Sequence, residues 1–260
     1  MPVIENEIDD YKPLVVKIVD RAAPWRWLSA GWIDFKNKPF SGLFYGFIFA
    51  LAGWITIAFL VWADMERLLL PALAGSILVG PLLAIGMYRE SQESIAARKG
   101  VPLISHKLDM SQVALTGAVL MTVMLIWIRM ATIIYALFFG LQPFPGLEEA
   151  VQSLLFTNNG LMMLAVGSAI GGLFAAFVYA ISAFSLPMLV DQDVDCFTAM
   201  GRSFVAVNRN FWVMLKWAAI IMILASVGFA TLLLGMIIVF PVLGHATWHC
   251  YDDIFNSIES

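Results

Sequence analysis

Charge is what this sequence has least of. Only 13% of its 260 residues are charged and 61% are hydrophobic, whereas soluble domains carry about 25% charged and about 45–50% apolar residues. A soluble fold this apolar could not cover its surface with polar groups. The composition therefore excludes an ordinary soluble domain and predicts an integral membrane protein. Its expected partner is the lipid bilayer, and we expect no nucleic-acid partner.

Residues with ready chemistry are also scarce, with only 3 histidines and 2 cysteines. The sequence has no Walker loop, no GxGxxG and no CxxC. Cys196 and Cys250 are both predicted near the cytoplasmic side, where a structural disulfide is not expected. The polar segment 1–39 lacks the apolar stretch of a cleavable signal peptide, so the first spanning helix is expected to act as the insertion signal.

Long apolar stretches set the predicted topology, since a spanning helix needs about 20 mostly apolar residues. The last stretch, 211–250, would form about 60 Å of helix, twice the about 30 Å of the hydrocarbon core. We therefore expect it to hold two spans, with a turn between Gly228 and Gly235. A five-span interpretation would move the C-terminus to the outer side. The predicted spans are 40–62, 68–88, 111–139, 161–190, 211–229 and 231–250.

Basic residues predict the orientation of these spans. Segments that alternate along the chain hold 13 of the 15 lysines and arginines, and cytoplasmic segments are the ones enriched in them. The N-terminal segment 1–39 and the tail 251–260 are therefore predicted in the cytoplasm of a bacterium, with residues 40–250 in its inner membrane. The expected fold is all-α and polytopic, with about six transmembrane helices in three hairpins. Each hairpin follows a cytoplasmic interfacial helix, although prolines and aromatics are common at membrane boundaries anyway.

The last predicted span carries a histidine pair. His245 and His249 are four residues apart and share a helix face, which Asp253 continues one turn later. Two imidazoles and a carboxylate could bind a divalent metal, and paired histidines could ligate haem. The alternatives are a polar helix end at the membrane edge, beside Trp248 and Tyr251, and a partner-binding surface.

Arg129 is a charge within the third predicted span, and such charges are costly in lipid. It lies toward the outer side, so a snorkelling side chain or a structural ion pair competes with a role in a substrate or ion pathway. The fourth span repeats small residues, including Gly167, Gly171 and Gly172. Small residues allow close helix contact, and packing within the bundle is favoured over dimerisation.

Alternate aspartates follow the fourth span at Asp191, Asp193 and Asp195. A calcium-binding EF-hand loop would need a glycine at its sixth position and a glutamate at its twelfth. Phe197 and Arg202 occupy these positions, so that loop is excluded. Acids that favour a helix N-terminus are the expected interpretation.

Three motifs together resemble a family of predicted integral membrane proteins, largely proteobacterial and catalogued as a domain of unknown function. They are Gly31-Trp-Ile-Asp-Phe, the stretch from Ser185 to Asp195 with the later Ala206-Val-Asn-Arg-Asn, and Gly244-His-Ala-Thr-Trp-His. The resemblance implies a multi-helix inner-membrane protein and supplies no reaction.

Three functions follow as hypotheses. The first is a non-catalytic accessory or assembly subunit of a membrane complex, with respiratory complexes among the candidates. The second is a small transporter or channel, which the absence of a carboxylate in mid-membrane disfavours. The third is a metal- or haem-binding membrane protein that uses His245 and His249. No catalytic residue is assigned, and an enzyme is not the favoured interpretation.

Overall fold

The computed structural model describes residues 16–65, 68–69, 72, 80–100, 102, 107–140 and 147–255. Every regular element in these ranges is a helix, which confirms the predicted all-α fold. The helices are α1 (Ala23–Asn37), α2 (Pro39–Trp62), α3 (Ile85–Lys99), α4 (Met110–Phe139), α5 (Leu147–Phe156), α6 (Asn158–Ser182), α7 (Ser185–Asp191), α8 (Cys196–Arg209), α9 (Phe211–Ala230) and α10 (Met236–Phe255).

Short polar side chains set where several helices begin. Asp109 accepts a hydrogen bond from the Ser111 amide at the start of α4, and Asp195 accepts one from the Thr198 amide at the start of α8. Each carboxylate satisfies an amide that has no partner within its helix. Hydrogen bonds from the Ser111 hydroxyl and amide hold the pKa of Asp109 below its ordinary value, and those from the Thr198 hydroxyl and amide do the same for Asp195. Asp195 is thus a helix cap, as expected for the alternate aspartates.

Four helical stretches of the described chain are long and apolar enough to cross a membrane. They are Pro39–Trp62, Met110–Phe139, Asn158–Asp191 and Phe211–Ala230. The third is interrupted at Ala183 and Phe184, so that α6 and α7 follow one another rather than forming one helix. Residues 70, 71 and 73–79 of the predicted span 68–88 lie outside the described residues. The count of six spans and their arrangement as hairpins therefore stay predictions.

The stretch predicted to contain two spans does contain two helices, α9 and α10, but α10 is not among the four candidate spans. The turn between them contacts the middle of α2, where the Trp54 indole donates to the Leu232 carbonyl at 2.8 Å. Trp54 is eight residues before the end of α2, a distance of about 12 Å along the axis. The hairpin of α9 and α10 therefore stops short of the far end of α2.

Helix α10 joins the membrane part to a packed polar part of the molecule. Its first half lies against α2, where Phe240 stacks on Phe49 with ring centroids 4.4 Å apart. Its second half lies against α1, where Gly31 allows the backbones to approach so closely that a Cβ there would lie 2.6 Å from the Val242 carbonyl oxygen. We call α1, α3 and residues 244–255 of α10 the head.

The head has a buried aromatic core. Trp248 and Tyr251 of α10 are 1% and 0% exposed, and the Trp248 ring lies against both Tyr251 and Tyr88 of α3. Helices α4 and α6, by contrast, are largely exposed. Only 11% and 6% of their most apolar windows are buried. Helices α4 and α6 therefore present broad uncovered apolar surfaces, whereas the centre of the head is buried.

Candidate functional site

Helix α3 brings a polar face into the middle of the head. Ser91, Ser94 and Arg98 are spaced three and four residues apart, so they share one side of the helix. All three point toward Asp34 of α1. His249 of α10 reaches the same carboxylate. Three helices that are distant in sequence thus meet at one acidic side chain.

Asp34 is the centre of this cluster, and it is only 4% exposed. Its Oδ2 accepts from the Ser91 hydroxyl at 2.9 Å and lies 2.8 Å from His249 Nε2. Its Oδ1 accepts from the Ser94 hydroxyl at 3.1 Å and lies 3.6 Å from the Arg98 guanidinium. Each oxygen therefore has two partners, as a buried carboxylate requires.

The direction of the hydrogen bonds follows from the single proton of Ser91. Because that proton is donated to the ionised Asp34, the Ser91 oxygen must accept in its second contact, 2.7 Å from His245 Nδ1. His245 therefore carries its proton on Nδ1. His249 donates its Nε2 proton to Asp34. A continuous chain runs from His245 through Ser91 to Asp34, which His249 joins from its other side.

The surroundings keep Asp34 ionised. Burial on its own raises the pKa of Asp34, but the hydrogen bond and charge of His249, the Ser91 hydroxyl and the Arg98 guanidinium together hold it below its ordinary value. These groups favour the charged form by direct bonding and by opposite charge. The cluster is therefore a buried, fully bonded anion that ties α1, α3 and α10 together.

At one end of this series of hydrogen bonds, the Nε2 atom of His245 lacks a partner within the described part of the protein. His245 is 1% exposed, and its Nε2 makes no hydrogen bond. With the proton on Nδ1, Nε2 carries a lone pair that faces the interior. The indole nitrogen of Trp248, one turn away, is also buried without a partner.

A second polar network lies on another side of α3. Asp191 of α7 accepts from the Gln92 amide at 2.9 Å and from the Tyr251 hydroxyl at 2.8 Å. Gln192 also reaches the Tyr251 hydroxyl, at 3.1 Å. Asp191 therefore fastens the end of α7 to the head, while Asp195 caps α8.

The three residues predicted as a metal site do not converge on one point. His249 is bonded to Asp34, and His245 to Ser91. Asp253 accepts from the Trp27 indole at 2.9 Å and lies 3.7 Å from Arg26. Over the described ranges, no group of three or more histidine, cysteine or acidic side chains is placed to hold a metal ion.

The intramembrane candidates lie elsewhere. Arg129 is exposed on α4. Gly171 of α6 faces α4, where an added Cβ would lie 2.7 Å from the Trp127 ring. Gly167 lies near Ile134 of the same helix, whereas a Cβ at Gly172 would meet no atom within 4 Å. Gly171 thus mediates packing within the bundle, and Gly172 faces outward.

Asp34, Ser91 and Gln92 are the site residues that sequence reasoning missed. The available signal was the polar run from Arg89 to Ser94, which follows an apolar stretch directly. Its three-and-four spacing marks one helix face. The aspartate of the Gly31-Trp-Ile-Asp-Phe motif was visible as well, but nothing in the sequence placed it opposite α3.

These features define a class: the chain is an all-helical integral membrane protein with a packed polar head. Residues 69–191 match the model of a family described as "Predicted integral membrane protein (DUF2189)". The expected resemblance to a membrane family of unknown function is confirmed over this stretch. The Gly244-His-Ala-Thr-Trp-His motif lies outside it, so the motif and the bacterial origin stay predictions. No curated protein and no solved structure matches the chain significantly.

Proposed function

We propose that the protein is a non-catalytic accessory or assembly subunit of a complex in the bacterial inner membrane. The carrying observation is the contrast between the head and the paired helices α4 and α6. The head buries Trp27, Trp248 and Tyr251, whereas α4 and α6 leave all but 11% and 6% of their apolar windows uncovered. A partner's membrane helices would cover this surface.

Two residues on the uncovered surface favour a protein partner over lipid alone. A guanidinium costs about 2.5–3.5 kcal/mol at the centre of a membrane helix and less toward its ends, and Arg129 is exposed on α4. An acidic or carbonyl group on a partner helix would offset that cost. The open backbone at Gly172 on α6 allows a second helix to approach closely.

The proposed topology places both chain ends in the cytoplasm, with several membrane passes. The Lys17 amide donates to the Ile254 carbonyl at 3.0 Å, so the first and last described segments lie on the same side of the molecule. This contact supports an even number of crossings. The excess of basic residues in alternate segments supports the cytoplasmic side.

A metal- or haem-binding protein is the second candidate, and one observation favours it. His245 Nε2 is buried without a partner, and the Nδ1 proton is fixed by Ser91. Metal-binding histidines are oriented in this way through their other nitrogen. Against it, His249 and Asp253 already have other partners. A transporter stays the third hypothesis.

Purification from native membranes in mild detergent tests the proposal. The wild type should retain one or more membrane proteins in fixed stoichiometry by mass spectrometry. The combined variant Arg129→Gln with Gly172→Leu should lose them, because it changes the exposed surface of α4 and α6. The matched control Arg209→Gln with Gly201→Leu makes the same chemical changes on α8, where Gly201 is also open, and should keep them.

Other outcomes would contradict the proposal. A protein that purifies without a stoichiometric partner and transports solute in proteoliposomes would favour the transporter hypothesis. A Soret band, or one metal ion per chain that is lost in His245→Gln, would favour the second candidate.

A further inference from the structure

A cavity of about 410 Å³ lies at the beginning of α9, apart from the Asp34 cluster. Arg21, Trp212, Val213 and Lys216 line it. Arg21 comes from the segment before α1, and the other three come from the first two turns of α9. The cavity thus combines two cationic side chains with an indole at the point where a candidate membrane span begins.

Asn210 builds this arrangement. Its side-chain oxygen accepts from the Val19 amide at 3.0 Å, and its side-chain nitrogen donates to the Lys17 carbonyl at 2.9 Å. Asn210 is 3% exposed, so these bonds are shielded from water. They fasten the N-terminal segment beside α9 and bring Arg21 to the cavity. Because its side chain is used in this way, Asn210 does not cap α9.

Two contacts hold the Lys216 ammonium beside the cavity. Its Nζ donates to the Arg21 carbonyl at 3.1 Å and lies 5.6 Å from the centre of the Trp25 ring. Two of its three ammonium protons are left for other acceptors. The neighbouring acid, Asp20, is occupied by Arg26 at 2.6 Å. Among the described residues, the charged groups that remain beside the cavity are the cations of Arg21 and Lys216.

The walls of the cavity are mainly apolar. Trp212 is 70% exposed and Trp25 is 56% exposed, and the aliphatic stems of Arg21 and Lys216 add further apolar surface. Exposed indoles beside basic residues are typical of the membrane–water boundary. An occupant that matches both features carries a phosphate at one end and hydrocarbon at the other. The unpaired amides of the first turn of α9 also favour an anion.

We propose that this cavity binds an anionic phospholipid of the leaflet that α9 enters. Arg21 and Lys216 contact its phosphate, and Trp212 and Val213 contact its glycerol and upper acyl chains. The site is independent of the proposed subunit function, because it uses neither α4 nor α6.

Native mass spectrometry of the detergent-purified chain, titrated with phosphatidylglycerol or phosphatidylcholine, tests the proposal. The wild type should bind one phosphatidylglycerol in preference to phosphatidylcholine. Arg21→Gln with Lys216→Gln should weaken that binding roughly thirty-fold, since each basic residue near a membrane surface contributes about a factor of five. The matched control Arg89→Gln with Lys107→Gln removes the same charge from two other exposed residues and should bind as the wild type does.

The proposal is overturned if the double variant binds phosphatidylglycerol as tightly as the control, or if the wild type does not distinguish the two lipids. Displacement of the lipid by millimolar inorganic phosphate would overturn it too, because it would identify a free-anion site. If the double variant does not fold, the wild type and Trp212→Ala decide. The preference of the wild type for phosphatidylglycerol must fall as salt rises, and Trp212→Ala must weaken binding of that lipid.

Discussion

The Nε2 atom of His249 lies 2.8 Å from Oδ2 of Asp34, a bond between residues 215 positions apart in the sequence. It closes the head by joining α10 to α1. Because both groups are nearly buried, at 11% and 3% side-chain exposure, the bond is shielded from solvent screening. The predictions below begin from this contact.

Replacement of Asp34 should destabilise the head strongly. Asp34→Ala leaves His249, Ser91 and Arg98 without their shared acceptor, and loss of one partner of a buried ion pair costs about 3–5 kcal/mol. Thermal unfolding of the detergent-solubilised protein measures the loss. Asp20→Ala is the matched control, because it breaks an aspartate–arginine pair that is more than half exposed, and it should change the transition little. Equal shifts for the two variants would contradict the structural role given to Asp34.

Low pH should lower the free energy of unfolding of the head, because Asp34 becomes protonated. The folded state lowers the pKa of Asp34 below its ordinary value near 3.8. The unfolded chain therefore binds more protons in this range, and the stabilisation is present above about pH 4 and is lost as the pH falls through the folded pKa. Asp34→Asn should show a shallower decline between about pH 5 and pH 3. Subtraction of the variant's profile is needed, since Asp109 and Asp195 also contribute to the wild-type slope.

Replacement of Ser91 should lower the stability of the protein, because its hydroxyl contacts both Asp34 and His245. Ser91→Ala removes a donor to Asp34 and leaves the Nδ1 proton of His245 buried without an acceptor, which costs about 1–3 kcal/mol. The control is Ser29→Ala on the exposed side of α1, where the hydroxyl bonds only to the Arg26 carbonyl. A thermal transition of Ser91→Ala that matches that of Ser29→Ala would exclude the proposed direction of the hydrogen bonds.

Gly31 should tolerate no larger side chain. An alanine Cβ would lie 2.6 Å from both the Val242 carbonyl oxygen and the Ala246 amide nitrogen. Because both are backbone atoms, the helices must separate, at a cost of about 1–3 kcal/mol or more. Gly172→Ala is the control, since its Cβ meets nothing within 4 Å. Limited proteolysis should cut the head of Gly31→Ala faster than that of the control.

Cysteine labelling should report the topology. Cys196 and Cys250 are both 0% exposed, so they contribute little background with a membrane-impermeant thiol reagent. Ser260→Cys should be labelled only after the inner membrane is permeabilised, whereas Asp64→Cys, at the far end of α2, should be labelled in intact spheroplasts. Labelling of Ser260→Cys in intact spheroplasts would place the C-terminus outside.

Much of the fold follows from local sequence, because helix formation and membrane insertion depend on runs of apolar residues. The stretches that hold α2, α4, α6 and α9 were visible in this way. The role of α10 was not, since its first residues continue the apolar stretch of α9 while its second half packs into the head. Hydropathy alone cannot separate a helix buried in lipid from one buried in protein.

The sequence alone revealed only part of the candidate site. His245 and His249 drew attention because histidine is rare in this chain. Their partners Asp34 and Ser91 come from distant positions, and only tertiary packing brings them together. The three residues of the predicted metal site have separate partners, because His245 bonds to Ser91, His249 to Asp34 and Asp253 to Trp27.

The bond between the Lys17 amide and the Ile254 carbonyl also has a consequence for engineering. It brings the two ends of the described chain together, so the backbone from 17 to 254 forms an almost closed ring. A circular permutant could therefore join these ends with a short linker and open the chain between α4 and α5. The head would keep all three of its helices, and reporter proteins could then be fused at the C-terminal end of α4.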